Sequence, residues 1–199
     1  MTASQHPERP EYAGHFTDLS NHFLVAMPAM ADPNFSGTVV YLAEHSPKGA
    51  LGIVVNRVLD IDLGNLFERI SLKLDDADFA SQPVFAGGPV QNDRGFVLHS
   101  PAGAFNSSIH IGSDIALTSS KDVLEALAEG KGPRRLLMAL GYAGWGEGQL
   151  EEEIAANAWL TVPARAELMF DVPVEQRFHE AFGLLGIHPV FLSPAAGHA

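Results

Sequence analysis

The stretch LLMALGYAGWGEGQLEEEIAANAWLTV, Leu136 to Val162, decides how the rest of the chain is read. An apolar run leads into four glycines, Gly141, Gly144, Gly146 and Gly148, then an acidic amphipathic segment, then Trp159-Leu160-Thr161-Val162. That order predicts a strand, a glycine turn, a helix and a second strand. The helix would bury Leu150 and Ile154 and place Glu151, Glu152 and Glu153 in its first turn, where carboxylates oppose the positive end of the helix dipole and cap it. A glycine turn between strand and helix invites comparison with a dinucleotide-binding loop, but the spacing fails. Counting from Gly144-Trp145-Gly146, the third small residue falls at Gln149, and from Gly146-Glu147-Gly148 it falls at Glu151. The turn reads as structural, with Trp145 as a packed lid over the core.

Upstream, Ile109, Ile111, Ile115 and Leu117 alternate with polar or small residues, the period of a strand with one wet face. Ser119-x-x-Asp122 resembles a capping box, Val123, Leu124 and Leu127 make an apolar stripe, and Gly130 and Pro133 stop the helix. With the strand from Leu136 this predicts a parallel, right-handed β–α–β crossover. Further upstream, residues 22–28 read as a first strand ended by Pro28. Residues 38–43 and 51–55 form a hairpin about the turn at 44–49, apolar on both faces and therefore packed on both. Leu63, Leu66, Phe67 and Ile70 recur at helical spacing, with Asp60 or Asp62 as cap. Asp75-Asp76-Ala77-Asp78 reads as a solvated loop without calcium-loop spacing. Residues 83–90 and 95–99 read as a second hairpin about Gln91-Asn92-Asp93-Arg94. A last helix sets Phe178, Ala181, Phe182 and Leu185 on one face and ends at Gly186. Hairpins mixed with crossovers predict a single α+β domain at 18–192, with a mixed, strongly curved sheet flanked by about four helices, between flexible tails at 1–17 and 193–199.

Composition narrows the function. The chain has 199 residues with 46% hydrophobic and 18% charged, values of a globular protein, and no apolar run long enough for a spanning helix. Its start has prolines and charges where a secretory signal would be apolar, which predicts a cytoplasmic location. The absence of cysteine removes disulfides, thiolate nucleophiles, Cys-based zinc sites and iron–sulfur ligation. Twelve basic against 24 acidic residues give a net charge of −12, which opposes nucleic acid and anionic membranes as partners. The basic cluster Lys131-Gly132-Pro133-Arg134-Arg135 is too short to track a phosphate backbone and reads as a solvated loop.

Five stretches in this order resemble the AlgH/YqgE family of bacterial proteins: Phe23 to Pro28, Gly52 to Arg57, Phe85 to Val90, Arg94 to His99, and Gly141 to Gly146 followed by Gln149-Leu150-Glu151. The resemblance covers roughly residues 18–189 and implies a compact cytoplasmic α/β domain, in a family whose biochemical activity is not established and whose members are sometimes labelled regulators. It carries over no catalytic residues, metal or cofactor. Val58 stands where the family usually has proline after the Asn-Arg pair, and Glu147 where proline is common in the glycine turn.

Asn56, Arg57, Gly87, Gly88, Gln91, Arg94 and His99 fall at predicted strand ends and turns, where a rigid scaffold often presents binding residues. Two arginines, an amide and a histidine, with backbone N–H groups near the glycine pair, would suit a small carboxylate or phosphate. The competing reading pairs Arg57 with Asp60 or Glu68 and bonds Asn56 to its own turn. If the arginines share an empty anion site, changing either to Gln should leave stability unchanged or raised. No nucleophile elbow, phosphate loop or third ligand beside His99 and His110 is present. The chain therefore reads as a non-enzymatic regulatory or interaction protein with a protein partner. The alternative is a small-anion sensor or enzyme at the Asn56/Arg57 and Arg94/His99 turns.

Overall fold

Side-chain alternation places the sheet at the centre of the molecule. In β1 (His22–Ala26), Phe23 and Val25 enter one apolar cluster while Leu24 and Ala26 enter another, and all four are fully buried. The same division runs through β2 (Val39–Ser46) and β3 (Gly49–Val54), where Tyr41 and Ile53 face the first cluster and Leu42 and Val54 the second. The expected hairpin, packed on both faces, is these two antiparallel strands. The computed structural model describes residues 16–186. The tail expected at 193–199, the domain end at 192, and all of the 1–17 tail except Phe16 and Thr17 lie outside them.

The remaining strands are β4 (Val58–Asp62), β5 (Pro83–Ala86), β6 (Val90–Ser100), β7 (Ser108–Ile111), β8 (Ile115–Thr118), β9 (Arg135–Trp145) and β10 (Trp159–Pro163). They form one sheet in the order β10-β1-β2-β3-β9-β6-β8-β7, with β5 also beside β9 and β4 beside β5. The sheet is strongly curved, and β7 at one end comes round to touch β2. Inside the curve lies the cluster of Phe23, Tyr41, Phe96 and Leu98, closed by α5 (Ala166–Phe170) and α6 (Val174–Gly183) through Leu168, Met169, Ala181 and Phe182. On the outer face, α1 (Leu63–Arg69) and α3 (Asp122–Ala128) cover Val84, Val97 and Met138, while α4 (Gln149–Ala155) lays Leu150 against Leu24 and Val40. With α2 (Ala77–Ala80) the described residues hold six helices. The α+β class and the curved sheet agree with expectation. The helix count exceeds it because α2 and α5 span only four and five residues, too few to show a helical period.

β9 is the seam of the fold, and its course corrects two expectations. It continues as a strand through Gly141 and Gly144 to Trp145, so the turn is confined to residues 146–148. Its first half lies between β5, parallel to it, and β6, antiparallel; its last three residues pair with β3 instead. The expected hairpin of β5 with β6 does not form because β9 lies between them. Residues 91–94 belong to β6 and bulge outward, since Val90 pairs with Tyr142 and Gly95 with Leu140, leaving four residues opposite Gly141 alone. The crossover from β8 through α3 is parallel as expected: β8 and β9 both run antiparallel to β6, which lies between them.

The partner switch in β9 requires backbone to approach backbone. At Gly141 φ is +75° and a Cβ would stand 2.4 Å from the Gly88 carbonyl oxygen; at Gly88 φ is +155° and a Cβ would stand 2.1 Å from the Tyr142 carbonyl carbon. Gly87, between them and β3, donates its N–H to the Leu140 carbonyl at 2.8 Å and accepts the Val54 N–H at 2.9 Å.

Of the expected local caps, that of α1 forms and those of α3 and α4 do not. Ser119 does not cap α3; Asp122 accepts instead from the Asn106 and Val123 backbone N–H groups and from the Ser120 hydroxyl. Asp62 caps α1 by accepting the Asn65 N–H at 2.8 Å. The acids of α4 do not cap it; Glu153 accepts the indole N–H groups of Trp145 and Trp159 at 2.9 and 2.7 Å, tying the helix to two strands. Phe35 packs against both indoles, which leaves Trp145 almost wholly buried.

Candidate functional site

The seven candidate residues do not converge. Asn56, just past β3, accepts the Val39 N–H at 2.8 Å and donates to the Gly37 carbonyl at 2.9 Å, so its amide pins the 28–38 loop to the sheet. Arg57 donates to the carbonyls of Pro33 (3.1 Å), Asn34 (2.8 Å) and Ser36 (3.0 Å) in the same loop, rather than to Asp60 or Glu68. Three carbonyl acceptors at charge-assisted distance hold a guanidinium firmly. Its removal would leave those three carbonyls without this donor. Gly87 and Gly88 serve the crossing at Gly141.

The bulge in β6 divides the rest. Asn92 faces a cleft of ≈ 320 Å³ with Arg57, Leu59, Gly88 and Leu140. Gln91 and Arg94 face a different cleft of ≈ 240 Å³ at the rim of the curved sheet, with Phe96, Ser119 and Tyr142. Arg94 donates to the Gln91 amide oxygen at 3.3 Å and the Ser119 hydroxyl at 3.0 Å and lies over the Phe96 ring, all neutral partners. Arg57 and Arg94 thus line separate clefts.

His99 faces neither. It is fully buried, with Nδ1 3.0 Å from the Pro101 carbonyl and Nε2 2.8 Å from the Thr118 hydroxyl. A carbonyl only accepts, so the proton sits on Nδ1 and Nε2 accepts from Thr118, the pattern of a neutral imidazole. Burial pulls its pKa below the usual histidine value, against the Pro101 hydrogen bond, and His110 adds a smaller push in the same downward direction. Among the described residues no three His, Asp or Glu side chains are gathered to hold a metal ion.

One charged residue escaped the sequence reading. Arg177 in α6 is only 6% exposed, its Nε donating to the Val172 carbonyl at 2.9 Å and its Nη1 to the Val55 carbonyl at 2.6 Å. Its guanidinium lies 5.2 Å over the Phe85 ring, and burial lowers its pKa to about 10. The signal was spacing: Arg177 lies four residues before Ala181, on the stripe that α6 buries.

Residues 23–190 match the family described as DUF179, AlgH-like. The UPF0301 protein of Ralstonia nicotianae is 59% identical over 182 residues, covering 92% of this chain and 96% of that protein. A UPF0301 protein of Burkholderia vietnamiensis is 60% identical over 184 residues, with the same coverage. The solution structure of the AlgH protein from Pseudomonas aeruginosa superposes with a TM-score of 0.76 at 44% identity, covering 100% of both chains. A crystal structure of protein DIP2367 from Corynebacterium diphtheriae shares the fold at 20% identity and a TM-score of 0.65, covering 82% of this chain and 85% of that one. Matched along nearly its whole described length in sequence and in structure, the chain belongs to the AlgH-like family.

Proposed function

We propose that this protein is a non-enzymatic regulatory module that acts in the cytoplasm by binding another protein. The observation that carries this reading is the outer edge of β4. Among the described residues that strand pairs only with β5, and it presents Val58, one of two large apolar side chains exposed there, at 48% exposure. An unpaired strand edge offers a row of backbone donors and acceptors to an added strand. The cleft lined by Leu59, Pro89 and Leu140 lies alongside to take apolar side chains. With Asp60 on the strand and a net charge of −12, the fitting partner is an extended segment with basic residues. The polar groups that catalysis would draw on, Asn56, Arg57 and His99, are committed to holding loops and core. A shared anion site for Arg57 and Arg94 loses its support because the two line different clefts.

The test is a photo-crosslinking amino acid placed at position 58 and, as control, at position 180 on α6, in cells of the source bacterium. A defined protein adduct from position 58 alone, lost when Asp60 is changed to Lys, supports the reading. No adduct, or the same adducts from both positions, overturns it.

A further inference from the structure

We infer that the cleft between β5, the start of β9 and the junction of α5 with α6 is a binding site for a small oxyanion, a phosphate monoester or a carboxylate, carried on a flat apolar body. The site is separate from the β4 edge and does not rest on the reading given to it. Its volume is ≈ 460 Å³, larger than either cleft described above and within the range of small-molecule sites.

Three arginines line it: Arg134, Arg135 and Arg177. Arg177 is the observation that points to a ligand. Its Nε and Nη1 donate to backbone carbonyls, and the side chain lines the cleft. Among the described residues no carboxylate is in ion-pair contact with this deeply buried guanidinium; such a group is expensive to keep, and an arriving anion would supply a countercharge. Burial leaves it protonated at neutral pH, since its pKa stays about 10.

The surroundings suit the same ligand. Pro173 and Val174 line the cleft at the N-terminus of α6, a ten-residue helix without a side-chain cap, which sets the positive end of its dipole beside the cleft. Arg134 is exposed at the rim. Arg135 is paired with Asp171 and lies 5.2 Å over the Phe170 ring. The acids nearby are Asp171 and Glu175, against three arginines in a chain with twelve basic residues altogether. Phe85, Leu136, Met169 and Phe170 supply apolar walls for the body of the ligand. A polyanion is excluded by the size of the cleft and by the negative charge elsewhere.

The experiment titrates the 15N-labelled full chain with phenyl phosphate, benzoate and inorganic phosphate at constant ionic strength, following backbone amides by NMR. Saturable shifts at Asp171 to Arg177 are expected, with Arg134→Glu weakening binding by roughly tenfold or more, consistent with loss of a charge-assisted contact, and Arg134→Lys restoring most of it. Arg134 is exposed, so these variants should fold; Arg94→Gln serves as a control that leaves binding unchanged. Tighter binding of phenyl phosphate than benzoate assigns a phosphate ligand, and the reverse a carboxylate. Absence of saturable shifts with all three probes at millimolar concentration, or equal binding by wild type and Arg134→Glu, overturns the inference.

Discussion

Arg57 and Arg177 both anchor backbone by donating to carbonyls, yet they end in opposite states. Arg57 is partly exposed and satisfied by three carbonyls of one loop; Arg177 is buried, donates to two carbonyls and lines a cleft. Exposure is therefore a poor guide to availability here. Loop 28–38 wraps Arg57 because Asn56 pins that loop alongside it, whereas Arg177 projects from a helix toward Val55 and donates to carbonyls of two separate segments. The first arrangement is a closed clamp and the second a pocket wall.

The clamp region stands on the crossing of Gly88 and Gly141, so the largest effect is expected there. Gly141→Val should lower stability by about 2–6 kcal/mol, combining a left-handed backbone with a backbone collision. Gly144→Ala meets only the Tyr142 ring, with the nearest atom at 3.1 Å, and should cost about 1 kcal/mol or less. Urea unfolding of both variants checks the pair; equal losses would show that the seam is not where strain is held.

Next come the arginines themselves. Arg177→Met strands the Val55 and Val172 carbonyls and should cost about 2–4 kcal/mol, while Arg57→Met frees carbonyls that water can reach and should cost about 1–2 kcal/mol. Melting temperatures order the two; if Arg57→Met is the costlier, the contrast between clamp and pocket wall fails.

A smaller effect is expected from His99, whose burial favours the neutral ring. Its folded-state pKa is depressed, so the unfolded chain binds the proton first. Its stabilising contribution is full above the unfolded value of about 6.5 and is lost as pH falls from there toward the folded value, at up to ~1.4 kcal/mol per pH unit. Stability of wild type and His99→Gln measured from pH 7.5 to 5 should show a shallower slope in the variant, and parallel curves would assign the acid sensitivity to other groups. Arg94→Gln should change stability by no more than about 0.5 kcal/mol, because its partners are neutral and exposed. A larger loss in the same urea experiment would make Arg94 a second clamp.

The sequence by itself determined which residues face inward. The β-branched apolar runs at 38–43 and 51–55 and the stripe of Phe178, Ala181 and Phe182 are short-range patterns, and they place the central hairpin and α6 correctly. It also held enough family-specific stretches, in order, to identify the kin. What only the tertiary structure decided was pairing across long separations. Nothing local to residues 83–99 says that a strand from residues 135–145 will slide between its two halves, because a strand edge satisfies its hydrogen bonds with any suitably placed neighbour. For the same reason the seven candidate residues, adjacent in the chain to turns, were dispersed to a clamp, a rim and the core. Arg177, hidden among the polar residues of a helix, was brought against Val55, 122 positions away, and buried there.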